Sequence, residues 1–178
     1  MAPNDRSDDV ATPDVCVRPA LPADVLAIRS IVESYATRRI LLAHDLVAYY
    51  EAMRDFVVAE ATGGETVGCG ALHIMWKDLG EIRTLAVLPE RLHTGIGHTM
   101  LESLMERARE LRLERLFCLT FEVDFFGRHG FTPIEGDVVD PEVFREMLLS
   151  HDDGVAEFLD LASVKPNTLG NTRMLLEL

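Results

Sequence analysis

Leu79-Gly-Glu-Ile-Arg-Thr-Leu-Ala-Val-Leu-Pro-Glu-Arg-Leu-His-Thr-Gly-Ile-Gly-His-Thr-Met100 is the stretch whose reading decides the fold. Ile82 to Val87 is an apolar run that stops short of Pro89 and reads as a strand. A short polar loop follows, then Gly95-Ile96-Gly97, then a long amphipathic segment. Strand, glycine-bearing loop and helix start are the parts that hold a pyrophosphate on backbone N–H groups. The first N–H groups of a helix have no intrahelical partner, and the helix dipole favours an anion there. Glycine lets the backbone approach phosphates with no side chain in the way. The spelling is neither Gly-x-Gly-x-x-Gly nor a glycine followed by Lys-Ser/Thr, so it matches neither a dinucleotide fingerprint nor a P-loop.

The bulk composition narrows the function further. A chain of 178 residues with 48% hydrophobic content can bury one proper core. A single domain over residues 14–178 is expected, behind a flexible Asp- and Pro-rich leader at residues 1–13. No apolar run is long enough to span a bilayer, and the first residues are not a signal peptide, which points to the cytoplasm and away from a membrane partner. The net charge of −13 argues against nucleic acid, because phosphate backbones need a basic surface. Cys16, Cys69 and Cys118 are odd in number, match no metal or redox spacing, and sit in apolar runs, so each is expected as a buried reduced thiol. The six histidines show no metal-ligand spacing, and no metal is expected.

Outward from the central stretch, Val15 to Arg18 reads as a first strand. Pro22 opens a helix with Val25, Ile28, Val32 and Tyr35 on one face, and residues 44–55 suggest a second. Phe56–Ala59 and Thr66–Met75 are strands joined through Thr62-Gly63-Gly64-Glu65, a hairpin signal. The helix after Gly97 is expected to bury Leu101, Leu104, Met105, Ala108 and Leu111. Arg115–Thr120 reads as a strand, residues 121–126 as a short helix and Phe131–Ile134 as a strand. Asp140-Pro141 is an N-cap with proline at the first helical position, and Met174–Leu178 closes as a last strand.

Leu-Ala-Val-x-Pro, five residues, then Gly-Ile-Gly opening a helix resembles the acetyl-CoA loop of the GNAT family of N-acetyltransferases. Leu92 stands where that family carries Arg or Gln, which removes one side-chain cap and leaves the backbone site from His93 to His98. A second block, Leu119 to Phe131, matches the strand, short helix and aromatic-x-x-x-Gly-Phe turn that ends the family's core. Phe126 occupies the position where many members place a thiolate-protonating Tyr, and Phe has no proton to give. Together with Gly68–His73, Gly80–Val87 and Leu169–Met174, these blocks are similar to the stand-alone N-acetylglutamate synthases of actinobacterial arginine biosynthesis. The resemblance implies an α/β (α+β) GNAT fold, a mixed central sheet flanked by helices. It implies acetyl-CoA as co-substrate and glutamate or glutamine as acceptor. It also carries over a homodimer as an expectation.

Direct attack of a free amine on a thioester sets three tasks: deprotonation of the ammonium, donors for the oxyanion, and cations for the substrate carboxylates. Glu81 is the favoured base, through water, with His73 second. Backbone N–H groups near Ala86 and Val87 are the oxyanion donors, on a strand that splays from its neighbour in this family. Arg83, Lys165 and Arg173 are the expected carboxylate partners, the last two matching basic positions of the synthases. His44 is the nearest match to a further cation near the second helix, with Arg38 and Arg39 close by. Leu85, Ala86, Val87, His93, Thr94, Gly95, Ile96, Gly97 and His98 are expected to hold the cofactor, with Thr120, Phe125, Phe126 and Arg128 lining its groove. Two other readings stay open: a GNAT acting on a protein or peptide amine, and a non-catalytic acyl-CoA or amino-acid sensor.

Overall fold

The computed structural model describes residues 14–36, 41, 44–136, 138–159 and 171–178. Among these, seven strands form one sheet: β1 (Val15–Pro19), β2 (Phe56–Ala61), β3 (Thr66–Ile74), β4 (Leu79–Val87), β5 (Arg115–Thr120), β6 (Thr132–Pro133) and β7 (Thr172–Glu177). Their order is β1-β2-β3-β4-β5-β7-β6, and β4–β5 is the parallel pair in an otherwise antiparallel sheet. That one parallel pair needs a crossover helix. It is α3 (Ile96–Glu110), the helix opened by Gly95.

The helices split between the faces. α3 buries Met100, Leu101, Leu104 and Ala108 against Val57, Ala59, Leu72, Ile82 and Leu116. α4 (Val123–Gly127) adds Phe126 to that side. α1 (Val25–Ala36) buries Val25, Ile28, Ile31 and Val32, a helical spacing, and with α2 (Leu46–Glu51) covers Val58, Cys69 and Ala71 on the other face. α5 (Pro141–Met147) and α6 (Asp153–Phe158) cover Leu79 and Phe117 with Met147, Val155 and Phe158. Cross-strand partners share a face, and so do residues two apart on a strand. The pairs Ala71–Arg83 and His73–Glu81 therefore place these side chains on the face of α1 and α6.

The mixed sheet flanked by helices is as expected, and the hairpin turns through Gly63 (φ 118°) and Gly64 (φ 86°). Several expectations are corrected. Cys16 is exposed rather than buried, because β1 is an edge strand. Leu111 is 51% exposed, because α3 ends at Glu110 and the chain reverses at Arg112 (φ 59°), which hands the core position to Leu113. The second helix is shorter than residues 44–55 and passes into a 3-10 turn at Met53–Asp55. Pro22 opens a 3-10 turn, Pro22–Asp24, ahead of α1. α6 was not anticipated. The leader, Arg38, Arg39 and Lys165 lie outside the described residues. No described helix is long and apolar enough to cross a membrane.

Candidate active site

The site grows from a fault in β4. Gly68 pairs with Val87, Cys69 with Ala86, and then Ala71 with Arg83, so Thr84 and Leu85 oppose Gly70 alone. This two-for-one bulge puts Thr84 at φ 58°. A β-branched residue in the left-handed region costs on the order of 1–3 kcal/mol, and such cost persists only where the surroundings over-determine the conformation. One support is the buried Cys69 thiol, 3.8 Å from the Thr84 carbonyl oxygen. Burial pushes that thiol up to about 12, so it stays protonated and donates.

The bulge parts the sheet. β4 pairs with β5 at Leu79–Arg115, Gly80–Leu116 and Glu81–Phe117, and the ladder then stops. Beyond it, Leu88 N–H bonds back to Val67 C=O at 2.8 Å. Antiparallel alternation turns the neighbouring Val87 N–H and C=O to the opposite edge, toward the opening. The Tyr35 hydroxyl of α1 donates to Val87 C=O at 2.5 Å, which fixes that carbonyl and leaves the N–H as the donor on this edge.

At the wide end of the opening the chain makes a 3-10 turn (Pro89–Arg91), passes His93 at φ 61° and Gly95 at φ 86°, and enters α3. Alternating signs of φ point successive N–H groups to one side, an anion-binding concavity at a helix N-terminus. A Cβ at Gly97 would lie 3.6 Å from the Phe125 ring, an ordinary contact, so packing alone does not demand glycine there. Thr94 Oγ1 donates to Arg91 C=O at 2.7 Å. His98 Nδ1 lies 3.0 Å from His129 Nε2, and His129 Nδ1 lies 3.0 Å from Phe125 C=O. A carbonyl only accepts, so a neutral His129 carries its proton on Nδ1 and its Nε2 accepts a hydrogen bond from the Nδ1–H of a neutral His98. Burial, His129 and Arg128 hold His98 below its ordinary value.

At the narrow end lies a cluster of charges. Glu81 is 4% exposed, not the solvated strand end that a strand starting at Ile82 would give. Arg83 Nε donates to Glu81 Oε2 at 2.9 Å, and its Nη2 to the same oxygen. Arg83 also reaches Asp152, by Nη2 to Oδ1 at 3.0 Å and Nη1 to Oδ2 at 3.2 Å. Asp152 Oδ1 accepts the Val155 N–H at 3.1 Å and so tethers the start of α6. His73 stands between carboxylates, its Nδ1 3.0 Å from Asp55 and its Nε2 3.8 Å from Asp152. Burial pushes Glu81 up against the pull of Arg83. Burial also pushes Asp152 up, but the hydrogen bonds and charge of Arg83, with His73, outweigh it and hold Asp152 down.

The structure thus gathers Glu81, Arg83 and His73 into one cluster, and Leu85 through His98 along one opening. Phe126 is 7% exposed and packs edge-on against Phe131, whereas half-buried Phe125 meets His98 at 5.1 Å between rings. Thr120 is buried and its Oγ1 accepts the Glu122 N–H at 2.9 Å. Arg128 lines an open groove with Asp124, Gly127 and Met174. Arg173 pairs across from Leu119 and donates to the carbonyls of Phe158 and Gly136. His44 is exposed beside Tyr49. Sequence reasoning missed Tyr35 as a polar contact, Asp55, Asp152 and Gly154. The Ser-x-Asp before α6, where Ser150 Oγ accepts the Asp152 N–H, is a capping signal that marks a helix start and says nothing of Arg83.

Residues 27–131 match the model of the acetyltransferase (GNAT) family. Over 164 residues the chain is 57% identical to an amino-acid acetyltransferase of Mycobacterium tuberculosis, covering 91% of this chain and 94% of that one. It superposes with a TM-score of 0.88 on the crystal structure of Rv2747 from Mycobacterium tuberculosis in complex with CoA and NLQ, over 92% of this chain and 99% of that one. An N-acetylglutamate synthase from Neisseria gonorrhoeae complexed with coenzyme A and N-acetyl-glutamate shares the fold at a TM-score of 0.72 and 22% identity, over 92% of this chain and 35% of that one. The parted strand, the loop into α3 and these matches agree: the chain belongs to the GNAT family of acetyltransferases.

Proposed function

We propose that this protein moves the acetyl group of acetyl-CoA to the α-amino group of glutamate or glutamine, the entry step of arginine biosynthesis. The observation that carries the reading is the 57% identity, across nine-tenths of both chains, with a protein named for amino-acid acetylation. In the reaction the amine nitrogen bonds to the acetyl carbon, the carbon–sulfur bond breaks, and one ammonium proton must leave. The α3 loop from His93 to His98 holds the pyrophosphate on backbone N–H groups. Val87 N–H, with Leu85 and Ala86 beside it, stabilises the oxyanion. Glu81 stands three residues before the bulge at Thr84, roughly 10 Å along a strand that rises about 3.3 Å per residue, and so takes the proton through water. Its buried position suits a base working near neutral pH. Arg173 and Lys165 bind the substrate carboxylates, while Arg83 adds to their field, tied to Glu81 and Asp152. Phe126 gives no proton, so the thiolate leaves unassisted or takes its proton from water or another group.

A small substrate fits better than a peptide. The start of α6 lies directly on Glu81: a Cβ at Gly154 would clash with both Glu81 side-chain oxygens. The test is thiol release from acetyl-CoA with each free amino acid and with peptides. Release with glutamate or glutamine, lowered at least about tenfold in R173A, is the expected result. Acetyl-CoA binding without release from any free amino acid would overturn it, in favour of a peptide substrate or a sensor.

A further inference from the structure

Glu81 and Asp152 share a single guanidinium. Arg83 spends Nε and Nη2 on Glu81, and Nη2 again with Nη1 on Asp152. One cation cannot neutralise two carboxylates, so the trio carries an extra negative charge in a site that α6 covers. The group best placed to relieve it by binding a proton is the more deeply buried carboxylate. Side-chain exposure is 6% for Glu81 against 28% for Asp152. Asp152 has a second anchor, the Val155 N–H, that Glu81 does not share.

We propose that Asp152 is a positioning residue for the proton acceptor: it divides Arg83 between two carboxylates and docks α6 over them, leaving Glu81 undercompensated and able to take the substrate's proton. The role rests on the acetyl-transfer reading only for its effect on rate. Gly154 belongs to the same device, because any side chain there would push α6 off Glu81 and admit water. The other groups facing Glu81 do not replace Asp152. His73 sits across the strand pair and is shared with Asp55. Cys118, next to Phe117 on β5, packs on the opposite face of the sheet, and its buried thiol is pushed up, so it carries no charge. With Asp152 neutral, three effects act in one direction: the like charge disappears, Arg83 turns wholly to Glu81, and a loosened α6 admits water. Each lowers the proton affinity of Glu81. Environments that push two neighbouring carboxylates apart, one up and one down, are the pattern that separates base from bystander in acid–base sites.

The test is the titration of the Glu81 side-chain carboxyl carbon by NMR on Glu-labelled protein, with E81Q to assign the signal, in wild type, D152N and D152E. The expected result is a Glu81 midpoint above those of the other glutamates. It should fall by at least about one pH unit, tenfold in proton affinity, in D152N and return in part in D152E. The acid limb of kcat/KM should move down with it. A Glu81 midpoint that is ordinary in wild type, or that stays or rises in D152N, overturns the proposal. If D152N does not fold, the wild-type titration decides. Asp152 labelled in the same way must respond as Glu81 titrates, and independent single-step curves overturn the coupling. If the midpoint moves as expected but no amino acid releases thiol, the division of Arg83 stands and the proposed function falls.

Discussion

Two clusters in this molecule have nearly the same parts and opposite behaviour. In each, one arginine bridges two carboxylates. Arg18 joins Asp24 and Glu60, with side-chain exposures of 27%, 9% and 32%. Arg83 joins Glu81 and Asp152, with exposures of 28%, 6% and 28%. Yet the more buried acid is held down in the first cluster and pushed up in the second. The difference lies in which effect leads, hydrogen-bond donors at Asp24 and desolvation at Glu81. Asp24 receives Arg18 on both oxygens, at 2.7 and 3.0 Å, and the Leu21 N–H at 2.7 Å. Glu81 receives Arg83 on Oε2, and the start of α6 presses on both its oxygens. Hydrogen bonds to the charged form favour it, and desolvation opposes it. The first cluster ties β1 to β2 and the turn before α1. The second ties β4 to the start of α6 and is where we place the proton acceptor.

Exchanging charge for amide should separate the two most sharply. E81Q is expected to lower kcat by about 10² to 10⁴, the usual worth of a general base. D24N should leave kcat unchanged and lower unfolding stability by about 1–3 kcal/mol, because it breaks a buried charged hydrogen bond. Thiol release and thermal unfolding on both variants check this, and loss of stability without loss of rate in E81Q would merge the two clusters into one kind. Next in size is G154A. Displacing α6 from Glu81 by about an ångström should cost on the order of 10² in kcat/KM, with little change in acetyl-CoA affinity. Y35F, which removes the hydroxyl that fixes Val87 C=O, should slow turnover roughly threefold to tenfold, the worth of one neutral hydrogen bond.

The smallest effect is on stability against pH, and its sign differs between the clusters. Asp24 is depressed in the folded state, so its stabilisation is complete above its ordinary 3.8 and is lost as pH falls through the folded value. Glu81 is raised, so the folded state holds the proton longer than the unfolded one. Stability therefore declines as pH rises from its ordinary 4.5 through the folded value. Chemical denaturation across pH should show the acid limb flattened in D24N and the decline toward neutrality flattened in E81Q.

Much of this was legible in the chain. The strand from Arg115 to Thr120 has the bounds its apolar run suggests, and α3 starts where Gly95-Ile96-Gly97 places it. Such features depend on neighbours two to four residues away, which is the range that periodicity and caps report. Cys16 and Leu111 misled for the same reason: an apolar residue in an apolar run does not say whether its strand is an edge or its helix has already ended. The opening between β4 and β5 was anticipated through the family resemblance. Its cause, Thr84 in a left-handed conformation against Gly70, carries no local signature, since threonine is a poor candidate for that position.

By itself the sequence determined the succession of the strands, the glycine loop that opens α3 and the strand that bears Glu81. The tertiary structure alone decided what kind of acid Glu81 is. Its environment comes from Asp152, which meets Arg83 across 69 residues of chain, and from Gly154 lying against its oxygens. A carboxylate's proton affinity is set by water excluded and charges brought near, and both are delivered by segments that only folding makes neighbours.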